Sequence, residues 1–587
     1  MIYAWESWKK LFADRLSTAA EITIEPSEIV VPPKKDMGHL AYGCFKLAKE
    51  RGVSPAALAT ELAHKLDLKM TDIARAEAVG PYVNVWLSVE DAAFRVIREL
   101  ETAGSDYGAY PSVKMHPWMF EYANPNTHKE IHVGHLRGFL LGASMVRLAK
   151  TAGLAIHPVS FVNDLGNNVA KCLWQLVRSH GHDVHGLNTQ DQAAHILGAI
   201  PAERHTGKFL GGLYTESTRA LEADVNLATE VSFVQAQLEQ HQPAWEYLWR
   251  ETRRWCLDEL RGLFQELGVD VEHQYLESDC IDRSVEIVSE LEKLGTATTS
   301  EGALVVNLED EGLGVALLRK TDGTHLYLAK DLALAERKIH DLAGMNRSTI
   351  LVDYRQSLHF RQLAAILKRM GFTQTFDMCG LEIVTLKSGA MSSRKGNIIT
   401  LQTFIDEVTA YAREEIMKRH DDWPEGKVAH ASWAIAMAGI KFGMLKQDAD
   451  KVFTFDMEQA LAFDGDTGPY CQYAITRYAS VLRKQGWTGI DVQPVERVLT
   501  LPLECELAIK IAQLPERIQE AATSLRPAVV SQWCIEIAQC MNEVYRDVPV
   551  QDADAALKPS RLHLFYAAKT ALERGLWMLG IPVPEEM

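Results

Sequence analysis

A chain of 587 residues, of which 47% are hydrophobic and 24% charged, has the composition of a soluble globular protein and should form three or four domains of about 150 residues. Its formal net charge of −17 argues against a protein coated by nucleic acid, although it does not exclude a local basic face. The nine cysteines contain no Cys-x-x-Cys pair, so the sequence predicts neither a zinc ribbon nor a disulfide framework.

The N-terminal stretch does not have the pattern of a signal peptide. Glu6 and Asp14 interrupt its apolar residues, and no cleavage site of small residues follows. No apolar run approaches the ~18 residues that a membrane span requires. We therefore expect a cytoplasmic protein that does not contact a membrane.

Residues 1–105 are predicted to form a separate, small α/β domain. Hydrophobic patterns in this segment predict helices over 5–16, 40–51 and 55–66 and strands over 29–31 and 82–86. A turn-rich stretch at 104–108 is the expected linker to the rest of the chain.

The stretch 120–138 contains an apolar run, a polar turn and the start of a helix. The run 117–122 predicts a buried strand, and His132-Val-Gly-His135 opens a helix that continues to Gly153. A turn between a strand and a helix lies at the carboxyl edge of a parallel sheet, where open α/β sheets bind their ligands. We therefore expect a ligand site at this turn.

The residue types at the start of this helix favour a nucleotide as the ligand. Helix N-termini present unpaired N–H groups and partial positive charge, which attract phosphate. His132 and His135 lie on one side of the first turn and can both donate to phosphate oxygens, while Gly134 lets a flat base come close. Two surface histidines explain an isolated His-x-Gly-His about as well, and a zinc site would need a spacing of four and a further ligand.

The segment 121–138 resembles the signature of class I aminoacyl-tRNA synthetases, and in particular that of arginyl-tRNA synthetases. A strand-end acid, Pro-Asn, a lysine and His-x-Gly-His follow one another in the order and spacing of that family. The resemblance implies an α/β fold with a Rossmann-like parallel-sheet catalytic domain, a small α/β N-terminal domain and an all-α anticodon-binding domain. The expected divisions are 1–105 for the N-terminal domain, 106–400 for the catalytic domain with helical insertions, 401–465 for a helical connector and 466–587 for the C-terminal domain.

The resemblance also implies an arginine pocket. A guanidinium is planar and always charged, and it requires carboxylates that accept forked hydrogen bonds. Glu121 and Asp331 provide two such acids at the family's positions, and Tyr327, Asn126 and Gln356 match the positions that complete the pocket. Any one of these acids alone would be read as an ordinary surface charge, whereas the five residues together favour arginine.

A second signature, at 387–396, departs from the family's Lys-Met-Ser-Lys-Ser loop. Ala390 occupies the first lysine position and Ser393 the second, and Arg394 and Lys395 follow. The resemblance implies that this loop contacts ATP through Met391, Ser392 and Ser393 and stabilises charge through Arg394 and Lys395. It also implies that Lys129, ahead of the histidine motif, replaces the missing lysine.

The N-terminal domain of the family approaches the corner of tRNA, and the segment 80–84 resembles its contact strand. Tyr82 and Asn84 occupy the matching positions, where Tyr82 would stack on an unpaired base and Asn84 would read a base edge. A strand aromatic packed into the core is an equally good explanation of Tyr82.

Together these features predict an arginine–tRNA ligase, which activates L-arginine with ATP and transfers it to the 3′ end of tRNA(Arg). We expect Mg²⁺ to bind with ATP rather than in a protein metal site, and we expect a monomer. Two alternatives remain. One is a small-molecule nucleotidyltransferase, which shares His-x-Gly-His, and the other is a tRNA-binding paralogue that has lost catalysis, to which Ala390 gives some weight.

Overall fold

The computed structural model of the chain describes residues 2–69, 71–113, 116–321, 323, 326–387, 399–487 and 495–587. The N-terminal elements are α1 (Ala4–Ala20), β1 (Ile29–Val30), β2 (Leu40–Gly43), α2 (Phe45–Arg51), α3 (Pro55–Lys65), β3 (Ile73–Val79), β4 (Tyr82–Leu87) and α4 (Val89–Ala103). The four strands form an antiparallel sheet in the order β1-β2-β4-β3.

The predicted helix over 40–51 is wrong in its first part. Leu40–Gly43 is a strand that pairs with both β1 and β4, and the helix begins at Phe45. An apolar run this short has no periodicity that distinguishes a strand from a helix, so pairing with neighbouring strands decides the outcome.

The central part of the chain contains two sheets and a block of helices. Its elements are β5 (Trp118–Glu121), α5 (Val133–Thr151), β6 (Ile156–Val162), α6 (Asn167–Ser179), α7 (Gln190–Gly198), α8 (Gly207–Ala223), α9 (Ala228–Glu239), α10 (Pro243–Leu267), β7 (His273–Leu276), α11 (Ile281–Lys293), β8 (Thr298–Ser300), β9 (Ala303–Asn307), β10 (Val315–Arg319), α12 (Tyr327–Asp341), β11 (Arg347–Asp353), α13 (Ser357–Arg369), β12 (Thr375–Leu381) and β13 (Val384–Leu386). The main sheet is parallel, in the order β12-β11-β5-β6-β7, and β8, β9 and β10 form a separate antiparallel sheet.

Among the residues that the structure describes from 399 onward, the elements are helices apart from one short strand. Its elements are α14 (Leu401–Met417), α15 (Glu425–Leu445), β14 (Phe453–Phe455), α16 (Met457–Ala460), α17 (Gly468–Lys484), α18 (Pro502–Ala512), α19 (Leu514–Ser524), α20 (Ala528–Asp547) and α21 (Lys558–Met578). Among the described helices, α15 alone has the length and mean hydropathy of a membrane span, and 78% of that window is buried inside the protein. That burial is typical of a core helix.

Alternation along β5 decides which way the acid at its end points. Trp118 and Phe120 belong to the core cluster that includes α5, whereas Met119 belongs to the cluster formed by α11, α12 and α13. Glu121 is two residues after Met119, so its side chain is on the same face of the sheet. The strand-end acid therefore points toward α12 and α13.

The N-terminal domain packs on the C-terminal helices. The indole N–H of Trp5 donates to Glu516 Oε2 at 2.6 Å, and the hydroxyl of the buried Tyr107 donates to the carbonyl of Ile511 at 3.4 Å. These contacts join α1 and the linker to α18 and α19. The two ends of the chain thus pack directly against each other.

The close approach of α5 to β5 depends on a glycine. A Cβ at Gly142 would lie 2.1 Å from Cδ2 of Tyr122, the buried residue that follows β5. Tyr122 cannot move away easily, because its hydroxyl donates to the carbonyl of Asp270 at 2.7 Å. The glycine thereby fixes the distance between the strand and the helix that flank the histidine motif.

We expect Gly142→Ala to lower stability by about 1–3 kcal/mol, because the added methyl group overpacks this contact. The thermal unfolding midpoint measures the effect. Gly262→Ala in α10 is the matched control, since its Cβ would meet open space and a helical alanine gains up to ~1 kcal/mol. Equal midpoints for Gly142→Ala and the wild type would show that the helix can shift at no cost.

Candidate active site

The carboxyl edge of the main sheet places the predicted site residues near one another. The turn after β5 is tied to the end of β6, since Thr127 N–H donates to the carbonyl of Asn163 at 2.9 Å and Asn163 N–H donates to the carbonyl of Pro125 at 3.1 Å. Asn124 adds a third link by accepting from the N–H of Phe161 at 2.8 Å. The turn is therefore held by both strands.

The two histidines at the start of α5 are fixed by backbone hydrogen bonds. His132 Nδ1 accepts from the N–H of Gly134 at 3.1 Å, and His135 Nδ1 accepts from the N–H of His132 at 3.3 Å. Because Nδ1 is an acceptor in both rings, these partners assign the proton of each neutral ring to Nε2. The ring centroids are 4.0 Å apart, so the two rings lie next to each other at the start of the helix.

The charge state of these rings follows from their surroundings. Burial, together with smaller contributions from the neighbouring His132 and Lys129, lowers the pKa of His135 to about 3. Burial also lowers the pKa of His132, and again the Lys129 ammonium adds to the effect. Both rings are thus neutral donors near pH 7.

Gly134 has a local reason to lack a side chain. A Cβ at this position would lie 2.8 Å from Nδ1 of His132 and 2.9 Å from its Cε1. Any larger residue would push the first histidine out of its hydrogen bond.

Lys129 is half-buried in the turn before α5. Its ammonium is 5.8 Å from the ring centroid of Tyr214 on α8, and the ammonium of Lys171 is 6.0 Å from the same ring. The ammonium of Lys129 also contributes to lowering the pKa of both histidines of the motif.

Of the five residues predicted to bind arginine, the structure brings Glu121 and Asp331 together. Both line a cavity of about 30 Å³ between the sheet and the helices α12 and α13. Glu121 is 1% exposed and accepts from Asn124 Nδ2 at 2.6 Å and from the ammonium of Lys338. Asp331 Oδ2 lies 2.6 Å from Nε2 of His359.

The other three predicted residues lie outside this cavity. Tyr327, the first residue of α12, is 69% exposed, and Gln356 is exposed at the end of the turn that follows β11. Asn126 lines a separate cavity of about 260 Å³, together with Lys129 and residues of α10 and α14. The structure thus places two of the five predicted residues in one cavity and the other three outside it.

The second signature falls outside the described residues. Ala390, Met391, Ser392, Ser393, Arg394 and Lys395 all belong to the stretch 388–398. The residues that directly follow this stretch lie next to the histidine motif. Thr400 forms a β-bridge with His132, and Leu401 N–H donates to the carbonyl of Ile131 at 2.9 Å.

Tyr82 and Asn84 share one face of β4 but differ in exposure. Tyr82 is 38% exposed and packs edge-on against Phe45 at 5.5 Å. Asn84 is 3% exposed, because the segment around Met37 covers it, and its Nδ2 donates to the carbonyl of Met37 at 2.6 Å. Its Oδ1 is buried without a partner among the described residues. In this conformation Asn84 is inside the domain rather than at the surface where a base could be read.

Sequence reasoning missed several charged residues at the same edge. These are Asp164, which accepts from Arg253 and Ser278, Glu277, which pairs with Lys330, and the partners Lys338 and His359 described above. The one available signal was spacing, since Lys338 follows Asp331 by two helical turns and must share its face.

Three family models match successive parts of the chain. They describe the arginyl tRNA synthetase N terminal domain over 6–87, the catalytic domain of tRNA synthetases class I (R) over 111–457 and the DALR anticodon binding domain over 471–587. The chain belongs to the arginyl-tRNA synthetase family. The family and the fold class predicted from the sequence are confirmed.

Curated members of the arginyl-tRNA synthetase family match this chain along nearly its whole length. The arginine–tRNA ligase of Bdellovibrio bacteriovorus is 33% identical over 571 residues, which cover 95% of this chain and 94% of that protein. An arginine–tRNA ligase of Streptococcus thermophilus is 30% identical over 565 residues, which cover 95% of each.

Solved arginyl-tRNA synthetases share the fold. The enzyme from Thermus thermophilus superimposes with a TM-score of 0.79 at 24% identity and covers 99% of this chain and 100% of its own. The enzyme from Plasmodium falciparum gives 0.77 at 17% identity with complete coverage of both chains. Likeness at this level of identity shows the fold alone.

His128, in the turn that leads to Lys129, makes the stability of this site pH-dependent. It is fully buried between Thr127 and Thr252, with ring nitrogens 2.9 and 2.8 Å from their hydroxyls, and burial lowers its pKa from 6.5 to about 3. Above pH 6.5 neither state binds the proton, whereas below it the unfolded state does and the folded state does not. Acid therefore removes stability as the pH falls from 6.5 toward 3.

We expect His128→Asn to lower stability at neutral pH by about 1–3 kcal/mol, because two buried hydrogen bonds are weakened. It should also flatten the loss of stability below about pH 6.5, which His128 makes steeper by up to ~1.4 kcal/mol per pH unit. Urea midpoints of both proteins between about pH 6.5 and pH 4.5 measure this difference. Parallel pH profiles would show that the buried ring binds a proton in the folded state.

Proposed function

We propose that this chain activates L-arginine with ATP and transfers it to the 3′ end of tRNA(Arg). In the first step a carboxylate oxygen of arginine attacks the α-phosphorus, and the bond to pyrophosphate breaks. In the second step a ribose hydroxyl of tRNA attacks the carbonyl carbon of arginyl-adenylate, and AMP leaves. The observation that favours this reaction is that paired neutral histidine donors and two carboxylates, the buried Glu121 and the partly buried Asp331, lie at the carboxyl edge of one sheet.

The phosphate side of the site is assigned to the turn and the first turn of α5. Charge accumulates on the oxygens of the transferring phosphate, so positioning and fixed donors lower the barrier. His132 and His135 would donate from Nε2, Gly134 would leave room beside them, and Lys129 would provide the cation. Met391, Ser392, Ser393, Arg394 and Lys395 are assigned to the same triphosphate on sequence alone.

The amino-acid side is assigned to the cavity shared by Glu121 and Asp331. Two carboxylates can hold a guanidinium by forked hydrogen bonds. Tyr327, Asn126 and Gln356 would complete the pocket and hold the α-amino group. Because the cavity of about 30 Å³ is far smaller than an arginine side chain, substrate must open the space between the sheet and α12.

Magnesium is expected to arrive with ATP. Among the described residues, no group of three or more His, Cys, Asp or Glu is placed to hold a metal ion. Mg²⁺ commonly binds phosphate oxygens and water rather than an all-protein cage. It would neutralise triphosphate charge, and we assign it no protein ligand.

We further propose that Tyr82 and Asn84 contact tRNA, and that the chain works as a cytoplasmic monomer without membrane contact. The exposed Tyr82 ring supports the first part, whereas Asn84 must be uncovered before it can contact a base. The domain divisions at 106, 401 and 466 also remain proposals.

Arginine-dependent exchange of pyrophosphate into ATP, with and without tRNA, tests the activity. Exchange with arginine among the twenty amino acids, together with charging of tRNA(Arg), is the expected result. Exchange with no amino acid would favour a paralogue without catalysis, and a nucleotide transfer that needs no tRNA and no amino acid would favour a nucleotidyltransferase.

We expect Lys129→Ala to lower kcat of arginyl-adenylate formation by about 10²–10³-fold, as removal of one transition-state donor does. The KM for arginine should change little, because the contact forms with the triphosphate. Lys171→Ala is the matched control, since Lys171 lies beside the same Tyr214 ring and has no proposed contact with ATP.

Adding Ala390→Lys to Lys129→Ala should restore part of the lost rate, because the family's usual loop lysine would then return the cation. Full activity of Lys129→Ala would contradict the hypothesis that Lys129 takes the role of the lysine that the family has at position 390. The charge would then come from Arg394 and Lys395.

We expect Tyr82→Ala to raise the KM for tRNA by about 5- to 100-fold, the range that loss of one stacked base gives. The dependence of tRNA affinity on salt should stay the same, because stacking neutralises no phosphate. Tyr82→Phe keeps the ring and is the control. A changed salt slope at unchanged affinity would remove Tyr82 from the proposed interface.

A further inference from the structure

A lysine without an assigned role lies inside the proposed arginine pocket. Lys338 on α12 is 5% exposed, and its ammonium pairs with Glu121 Oε2. Asn124 Nδ2 holds the other oxygen of Glu121 at 2.6 Å. Each carboxylate oxygen of Glu121 therefore accepts one hydrogen bond, Oε2 from the ammonium of Lys338 and Oε1 from the amide of Asn124.

The position of Lys338 follows from the spacing along α12. It comes seven residues after Asp331, which is two helical turns, so both side chains lie on the face that meets the sheet. Lys338, Asp331 and Glu121 all line the same cavity. Helix α12, which contains Tyr327 and Asp331, thus also places the ammonium of Lys338 next to the carboxylate of Glu121.

Packing alone does not account for this pair. Removing two charges from water costs several kcal/mol per ion, and an apolar pair of similar volume is often as stable. The hydrogen bonds from Lys338 and Asn124 do, however, fix the orientation of the Glu121 carboxylate. A carboxylate offers about four acceptor positions, and Lys338 and Asn124 occupy two of them, which leaves two for a ligand.

We propose that Lys338 is a positioning residue for arginine recognition: its ammonium balances the charge of Glu121 and turns the free lone pairs of the carboxylate toward the guanidinium. This inference rests on the proposed role of Glu121. Without the cation, a carboxylate this buried is an uncompensated anion, which favours its rotation or the loss of its charge. Either change weakens arginine binding and leaves the phosphate side untouched.

The first experiment compares Lys338→Met, Lys338→Arg and wild type in pyrophosphate exchange, with tRNA present and ATP saturating. Lys338→Met should raise the KM for arginine by about 10- to 100-fold, the loss expected for a charged hydrogen bond. The kcat and the KM for ATP should stay within a factor of about three. Lys338→Arg keeps the charge and should restore most of the affinity.

The matched control is Lys441→Met. Lys441 is 3% exposed, and its ammonium donates to the backbone carbonyls of Leu267 and Gly580, away from the cavity. Its loss should lower the thermal midpoint and leave the KM for arginine unchanged. Should Lys338→Met fail to fold, Lys338→Gln keeps a donor for Glu121, removes the charge and gives the same test.

Two further measurements distinguish a Lys338 that positions the Glu121 carboxylate from a Lys338 that only stabilises the fold. If Lys338 acts through Glu121, then Lys338→Met should add little to the rise in KM caused by Glu121→Gln. Discrimination against citrulline, the uncharged analogue of arginine, should also fall in Lys338→Met, because the carboxylate no longer selects a cation. A residue that only supports the fold would change neither quantity.

Three outcomes would overturn the inference. An unchanged KM with a lower thermal midpoint would make Lys338 a structural residue. A lower KM would mean that the ammonium competes with arginine for Glu121. If Glu121→Gln itself leaves the KM unchanged, the assignment of Glu121 is the part that fails, and that result is distinct because it does not involve Lys338.

Discussion

Helix α5 imposes the constraint on which the rest of the molecule depends, because it is buried along most of its length. Fourteen of its 19 residues are buried, among them the polar Arg137 and Ser144. Buried donors need partners, and the two terminal nitrogens of Arg137 and the hydroxyl of Ser144 find them on distant segments. Arg137 donates to the carbonyls of Glu382, Asp448 and Lys451 at 2.6–3.0 Å, and Ser144 donates to the carbonyl of Met578 at 3.0 Å.

These hydrogen bonds connect the histidine motif to both sides of the second signature and to the C-terminal helices. Glu382 precedes β13, and Asp448 and Lys451 precede β14, the strand that pairs with β13. Further along the helix, the Arg147 guanidinium donates to the carbonyl of Gly268 at the end of α10. A shift of α5 would therefore break hydrogen bonds to several distant segments. For this reason α5 cannot easily move away from Tyr122 to make room for a side chain at position 142.

The sequence predicted the elements whose signals are local. The strand, turn and helix around His132 could be recognised because an apolar run, a polar turn and a periodic helix follow one another within forty residues or so of chain. The start of α2 was placed wrongly, because Leu40–Gly43 is too short to show a period and its strand pairing is decided elsewhere. The burial of Asn84 depends on the Met37 segment, whose position no pattern in β4 reports.

The candidate site shows the same division. Residue types and spacing were sufficient to nominate Glu121, Asp331 and both histidines, since a family motif places them. They could not show that Glu121 meets Lys338, a residue 217 positions away. The protonation state of the histidines also required the fold, because burial rather than sequence spacing lowers their pKa.

The net charge of −17 is compatible with anionic ligands because of how the charges are arranged at this edge. On the phosphate side, the two histidines are neutral and the nearest described cation in the turn is Lys129. On the amino-acid side, each proposed carboxylate already has an internal partner, Lys338 for Glu121 and His359 for Asp331. Arginine would then bind to acceptor positions that these partners leave free, rather than fill an empty anionic pocket. A guanidinium can reach such positions on two carboxylates with several donors in one plane, whereas an ammonium offers a single point charge, so selectivity for arginine over lysine would follow from the geometry of these hydrogen bonds.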